Sequence, residues 1–248
     1  MIPKIIHYSW IGSEMPEDVE KQIDAWKKIL PEWKFMLWTT ENWNVKSYKF
    51  SQEMYSKKKW AYVTDVLRLD VLNKYGGVYL DTDMVIKKSL NGFLQNKLVL
   101  GFQYDNSVLT SLIMSEANNP FINLALQMYD DRVLHDIHSE LYTQTNNPII
   151  TKVLKSKYPD FKLNGQYQEL EKEVIIYPKE YFTYRGKDGK GNFAEHLFMN
   201  SWGNGQVGIR KTVKKLLKFF FPYWWVKVSS KNGALRAEKD GLHLDEKT

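Results

Sequence analysis

The stretch AYVTDVLRLDVLNKYGGVYLDTDM, from Ala61 to Met84, most narrows what this chain can fold into. Val63, Leu67 and Val71 recur at helical spacing and Val66, Leu69 and Leu72 widen the stripe, so a helix is predicted from about Lys59 to Tyr75. Gly76 stands where such a helix ends, because glycine tolerates the backbone that closes a last turn. Val78-Tyr79-Leu80 then reads as a short strand. Helix running into strand is the working unit of an α/β sheet, and it leaves Asp81 and Asp83 at the strand's carboxyl end, where open α/β sheets bind ligands.

The flanking sequence continues the pattern. Ile2 to Tyr8 reads as a buried strand that meets the loop Trp10-Ile11-Gly12, Pro16 to Leu30 as a helix, and Trp33 to Trp38 as a strand, a βαβ opening. Further strands are predicted at Leu98 to Phe102, Val108 to Met114 and Val174 to Tyr177, and helices at Pro120 to Tyr129 and Pro148 to Leu154. Tyr181 to Asn192 reads as a loop, and the tail beyond Lys231 as loose. With 248 residues, 43% of them hydrophobic, and no internal repeat or composition break, one α/β domain over residues 1–209 is expected, followed by an extension over 210–248.

On extended backbone, aspartates at i and i+2 point to one face and can converge on one target. Two like charges that close repel unless a cation compensates, and hard divalent ions such as Mn²⁺ and Mg²⁺ take carboxylate oxygens. An isolated Asp-x-Asp is a weak sign, since a solvated turn accounts for it as well. Asp65 and Arg68 lie three residues apart on the preceding helix, either as a surface ion pair of little consequence or as a clamp on a sugar and its diphosphate.

The absence of Cys excludes a disulfide scaffold, a thiolate metal site and a cysteine nucleophile, so any metal must be held by oxygen or imidazole. No segment reaches the roughly 18 uninterrupted apolar residues of a spanning helix, and Met1-Ile-Pro-Lys-Ile-Ile lacks the pattern of a secretory signal, so a cytoplasmic protein is expected. The net charge of +6 points to an anionic partner. Arg210, Lys211, Lys214, Lys215 and Lys218 run into Phe219-Phe220-Phe221-Pro-Tyr223-Trp224-Trp225. That stretch suits an anionic membrane surface, on the inner face of the cell membrane, or equally an amphipathic helix packed on the domain.

The segments IPKIIHYSWIG, AYVTDVLRLDVLNKYGGVYLDTDM and HLFMNSWG together resemble glycosyltransferase family 32, whose distant relatives include the glucosyltransferase domains of large clostridial toxins. The resemblance covers the first 85 residues and the HLFMNSWG segment; about 100–190 carry little of it. It implies a GT-A fold, a Rossmann-like mixed, largely parallel sheet flanked by helices. It also implies a metal-dependent, retaining transfer from a nucleotide-diphosphate sugar, a UDP-hexose, to a saccharide or lipid-linked saccharide, as in bacterial capsule or surface polysaccharide synthesis. Asp81, Asp83 and Arg68 become the catalytic residues, Asp83 the direct metal contact, and Trp10, Asp65, Arg68, Tyr79, Asp81 and Trp202 the donor-binding set. Trp10 stacks on the base in this reading and is a core residue in the other. His196 is the candidate second ligand, with Glu195, Asn200 and Ser201 as alternatives, and imidazole suits Mn²⁺ better than Mg²⁺.

Three other classes compete. A nucleic-acid-binding protein would also be basic and aromatic, but the lysines follow no recognised pattern and the acids repel phosphate. A metal-dependent nucleotidyltransferase would typically show a glycine-rich phosphate loop near the N-terminus, which SWIGSEMPED is not. A non-catalytic sugar- or nucleotide-binding module would bind donors without turning them over.

Overall fold

The N-terminal apolar run becomes strand β1 (Ile5–Ser9), followed by helix α1 (Glu17–Ile29) and strand β2 (Lys34–Trp38) in a computed structural model that describes residues 1–129, 146–187, 189, 191–199 and 220–245. β1 and β2 pair in parallel, Ile5 opposite Lys34 and Ser9 opposite Trp38, which is the βαβ opening expected from sequence. A short helix α2 (Lys49–Ser56) and the central helix α3 (Trp60–Tyr75) lead to β3 (Gly77–Leu80), which pairs in parallel with the other side of β1.

Between α3 and β3 the chain reverses within two residues. Gly76 has φ +62° and Gly77 φ +107°, and a Cβ on Gly77 would lie 2.6 Å from the Ile5 carbonyl oxygen. Only glycine meets both demands, left-handed backbone and close approach to β1. β3 is buried at all four positions, with Val78 and Leu80 in the core on one sheet face and Tyr79 in the core on the other, the alternation a pleated strand imposes.

Strands β5 (Leu98–Tyr104), β6 (Ser107–Ser115), β7 (Gln168–Leu170) and β8 (Val174–Tyr177) complete a sheet ordered β2-β1-β3-β6-β5-β8-β7. β6 runs against β3 and β5, and β7 against β8, so five of seven strands share one direction: the sheet is mixed and largely parallel, as expected. Helices α4 (Pro120–Gln127) and α5 (Asn146–Lys157) cover the face that holds α3, and α1 covers the other.

Three expectations are corrected. α3 carries no solvent face in its middle: every residue from Val63 to Leu72 is buried, because α2 and α4 pack against it as well as the sheet. The acid pair lies not on extended backbone but in a turn, closed by the Met84 N–H donating to the Asp81 carbonyl at 3.0 Å. The turn feeds β4 (Met84–Ile86), which pairs antiparallel with β9 (Ala194–His196), beyond the short helix α6 (Lys179–Phe182).

The tail beyond Lys231 belongs to helix α7 (Pro222–Lys239), docked on the hairpin of β5 and β6. Gly233 meets the Tyr104 ring, and the Asn106 amide donates to the carbonyls of Ala234 (3.0 Å) and Leu242 (2.7 Å). Small residues and side-chain to backbone hydrogen bonds hold this helix, and neither writes an apolar stripe into the sequence. Among the described residues no helix is long and apolar enough to cross a membrane.

Candidate active site

Burial makes the central helix electrostatically demanding. Asp65 and Arg68 occupy its interior, where an unpaired charge costs several kcal/mol. Arg68 resolves this with almost all of its donors. Nη2 lies 3.1 Å from Asp65 Oδ1 and 3.4 Å from Asp81 Oδ1, Nη1 donates to the Thr110 carbonyl at 2.8 Å and to its Oγ1 at 3.1 Å, and Nε reaches the Thr64 carbonyl at 3.3 Å. The guanidinium also lies over the Tyr79 ring, 5.0 Å from its centre. The pair is therefore no surface ion pair.

These contacts set the protonation of the cluster. Burial pushes the Asp65 carboxyl up to about 7, against the pull of Arg68 and with a further push from Asp81. Burial works against the Arg68 charge, but Asp81 and Asp65 outweigh it and raise its pKa further. The Tyr79 hydroxyl is raised by burial and by Asp81; it meets Ser9 Oγ at 2.8 Å, tying the carboxyl ends of β1 and β3 together.

Asp81 is fixed through its backbone, the N–H donating to the Ser111 carbonyl at 2.9 Å. From there the turn swings Asp83 toward β9. The Leu197 N–H donates to the Asp83 carbonyl at 3.0 Å, the Met199 N–H to Asp83 Oδ2 at 3.0 Å, and His196 Nε2 lies 3.5 Å from Asp83 Oδ1 and 3.0 Å from Ser111 Oγ. Asp81, Asp83 and His196 each present a ligand atom within 4.8 Å of the others. The buried Trp26 indole and Gln22 anchor this ribbon from α1, donating to the Met84 carbonyl at 2.7 and 3.0 Å.

Two carboxylates and an imidazole so placed form a donor set for a hard or borderline divalent ion. The carboxylates fit as they stand. The ring fits on one condition: its Nδ1 accepts the Phe198 N–H at 3.0 Å, which leaves the proton on Nε2, the atom aimed at Asp83. Ligation through Nε2 requires that hydrogen bond to be given up.

Trp10 lies at the carboxyl end of β1, on the same sheet edge as Asp81. It is buried, its backbone N–H bonded to the Trp38 carbonyl and its indole donating to the Glu14 carbonyl at 3.2 Å, and it lines a cleft of roughly 490 Å³ with Gly12, Leu37, Thr39 and Tyr55. It is a core residue that also shows a surface to an open cleft. Glu195 is turned away from Asp81 and Asp83, paired with Lys87. Asn200, Ser201, Trp202 and residues 210–219 lie outside the described residues.

Sequence reasoning missed the second layer. Thr110 fixes Arg68, and its hydroxyl and backbone N–H both donate to Asn147 Oδ1, while the Asn147 amide donates to Gln103. Thr110 and Ser111 are two hydroxyls inside the apolar strand VLTSLIM, a signal of an inward polar contact that could have been read.

The cluster's two aspartates lie at the carboxyl end of a strand in a mixed α/β sheet, within a segment that also matches known proteins. Residues 16–100 match the model of the glycosyltransferase sugar-binding region containing a DXD motif. The chain is 30% identical over 189 residues to a glycosyltransferase of Acanthamoeba polyphaga mimivirus, covering 64% of this chain and 72% of that one. It belongs to this family of DXD glycosyltransferases, family 32. It is also 34% identical over 100 residues to inositol phosphoceramide mannosyltransferase 3 of Schizosaccharomyces pombe (38% of this chain, 27% of the relative), and 28% identical over 135 residues to a mannosyl phosphorylinositol ceramide synthase of Saccharomyces cerevisiae (51% and 34%). The match thus spans about a quarter to a third of those yeast relatives. Among solved structures, the PaToxG glycosyltransferase aligns with a TM-score of 0.53 at 18% identity over 64% of this chain and 70% of that one, which identifies the fold as GT-A.

Proposed function

We propose that the chain transfers a hexosyl residue from a nucleotide-diphosphate sugar, a UDP-hexose, to a saccharide or lipid-linked saccharide, with retention of configuration and in dependence on Mn²⁺ or Mg²⁺. The observation that carries this reading is the convergence of Asp81, Asp83 and His196 within 4.8 Å beside a buried Arg68. Asp83 and Asp81 would hold the ion, and His196 would join them through Nε2 with its proton moved to Nδ1 and its Phe198 bond given up. A divalent ion bound there would neutralise the diphosphate leaving group.

The protein's own groups do the remaining work. Arg68 is immobilised on five oxygen partners, so it presents positive charge to the departing diphosphate without reorganising. Asp65 accepts hydrogen bonds from donor hydroxyls, Tyr79 stiffens the wall behind Arg68, and the open side of Trp10 takes the base. The anomeric carbon–phosphate bond breaks, the acceptor oxygen bonds to that carbon on the same face, and its proton passes to the leaving diphosphate. Trp202, in the segment Ser201-Trp202-Gly203, covers the diphosphate in this reading.

The names of the two yeast relatives bring mannose forward as a donor sugar to be tested beside glucose, galactose and N-acetylglucosamine. Bacterial surface polysaccharide is the proposed destination; relatives from yeasts and a virus add no weight to that setting. The test is a panel of nucleotide sugars incubated with the protein and Mn²⁺, Mg²⁺ or EDTA, with release of nucleotide diphosphate as the readout. Release from one donor, abolished by EDTA, is the expected result. Binding of a donor without release under any condition, acceptors included, would turn the assignment to a non-catalytic module.

A further inference from the structure

Helix α7 and the two phenylalanines that precede it expose large apolar side chains to solvent. Phe220, Phe221 and Trp224 are 65%, 60% and 53% exposed, Tyr223 is 38% exposed, and Leu235 47%. Trp224 lies nine residues before Gly233, half a turn round the helix from the residue that meets Tyr104, so the docked and outward faces are opposite. Lys231 and Leu235, seven and eleven residues after Trp224, share its outward face. Large aromatic rings grouped in water are uncommon on a monomer and mark a contact surface.

The charge around the rings identifies the partner. Arg185, Lys187, Lys227 and Lys231 are all exposed, and Lys187 Nζ lies 5.8 Å from the centre of the Tyr223 ring. No Asp or Glu occurs between Glu195 and Glu238, an interval that holds eight Lys and Arg. Rings that prefer headgroup depth, with lysines at their margin and no acid among them, match an anionic lipid bilayer.

The position of the patch relative to the acid cluster gives it a purpose. The Tyr184 hydroxyl lies 3.4 Å from Ser229 Oγ on α7, the Tyr184 ring is 5.4 Å from Phe198, and Phe198 is 4.2 Å from the His196 ring. One tyrosine thus separates the aromatic helix from the wall of the site. We infer that the outward face of α7, centred on Phe221, Tyr223 and Trp224, docks on an anionic bilayer and holds the mouth of the site at headgroup level, where a lipid-borne acceptor is within reach. The purpose rests on the function proposed above; the docking does not.

The experiment is co-sedimentation of the full chain with vesicles of phosphatidylcholine alone or mixed with phosphatidylglycerol, in low and high salt. Binding to the mixed vesicles, little to the neutral ones, and weakening by salt are expected. Phe221→Ser with Trp224→Ser should lower affinity for the mixed vesicles by about tenfold, since two interfacial rings are lost. Both positions are more than half exposed, so the fold should survive, and donor hydrolysis in solution should match the parent. Lys227→Glu with Lys231→Glu should weaken binding and flatten the salt dependence. Absence of binding to mixed vesicles, parental binding by the aromatic variant, or preference for a single-stranded RNA over the vesicles would overturn the inference. Vesicle binding is read without sugar transfer, so a protein that binds lipid but releases no nucleotide would sink the proposed function and leave the docking standing.

Discussion

At the amino end of β3 an imidazole is enclosed and fully used. His7 bonds through Nε2 to the Gly76 carbonyl at 2.8 Å, accepts the Trp38 indole N–H at Nδ1 at 3.1 Å, and forms an aromatic triad with Trp38 and Tyr75, whose ring centres lie 5.6 to 6.0 Å apart. At the carboxyl end, four residues on, another imidazole meets a carboxylate at 3.5 Å beside three further charges. Both ends combine a histidine, a turn and a neighbouring strand. The difference is what the surroundings leave for a ligand: the amino end closes on backbone groups and aromatic faces, whereas the carboxyl end gathers carboxylates at a half-buried edge. One short strand thus separates anchor from chemistry, and mutations at its two ends should fail in different ways.

The largest effect is expected at the chemical end. Asp83→Ala removes a carboxylate that the proposed ion needs, and should lower transfer about 1000-fold or more, some 4 kcal/mol of barrier, with little change in melting temperature. Donor turnover against metal concentration checks it. Near-parental activity that still depends on metal would break the contrast by moving the metal site elsewhere.

Next comes the anchor. Gly77→Ala puts a Cβ into the Ile5 carbonyl at a backbone angle that alanine resists, and should cost about 3 to 4 kcal/mol of stability. Turnover per folded molecule should persist. Urea unfolding paired with turnover corrected for folded fraction tests the pair of statements. A loss of turnover in the folded fraction would show that the anchor positions Asp81 and Asp83 after all.

His7 sharpens the same contrast through pH. Burial holds its imidazole down at about 4, against an ordinary 6.5. Between those values the unfolded chain takes a proton that the folded chain refuses, so stability is full above 6.5 and falls as pH drops toward 4. About 2.5 kcal/mol should disappear between about pH 7 and pH 4.5, and His7→Asn should remove that share of the slope whatever it does to the baseline. Asp65 slopes the other way, its raised carboxyl costing stability as pH rises toward about 7, so His7→Asn should also expose an opposite residual slope that Asp65→Asn abolishes.

How far the sequence revealed these two ends follows from the range of the contacts. The helix, the glycine pair, the strand and the acids are consecutive, and their roles follow from spacing and from the rule that ligands meet strand ends. Arg68 was legible as a neighbour of Asp65 because i,i+3 fixes it. Its burial was not, because α2 and α4 reach it from afar. Thr110, Ser111 and Asn147 come to the site through the β5–β6 hairpin and α5: the two hydroxyls inside VLTSLIM announce a polar contact, but no local pattern says with which residue. α7 was misread past Lys231 because Gly233 and Ala237 dock it without an apolar stripe, and His196 stood out only by resemblance.

Trp10 gives the smallest and most discriminating effect. It belongs to the core cluster on one sheet face and also lines the cleft beside β1. Trp10→Phe keeps most of the buried area while shrinking the surface offered to a base, so it separates the two roles better than alanine. If the cleft takes the base, KM for the donor should rise about tenfold, roughly 1.4 kcal/mol, with kcat held, because the base contact is the same in ground state and transition state. Fluorescence titration with free nucleotide diphosphate should weaken to a similar degree. If Trp10 only fills the core, the melting temperature should fall by a few degrees while both affinities stay at the parental value, and the base must then be held by another surface of the carboxyl edge.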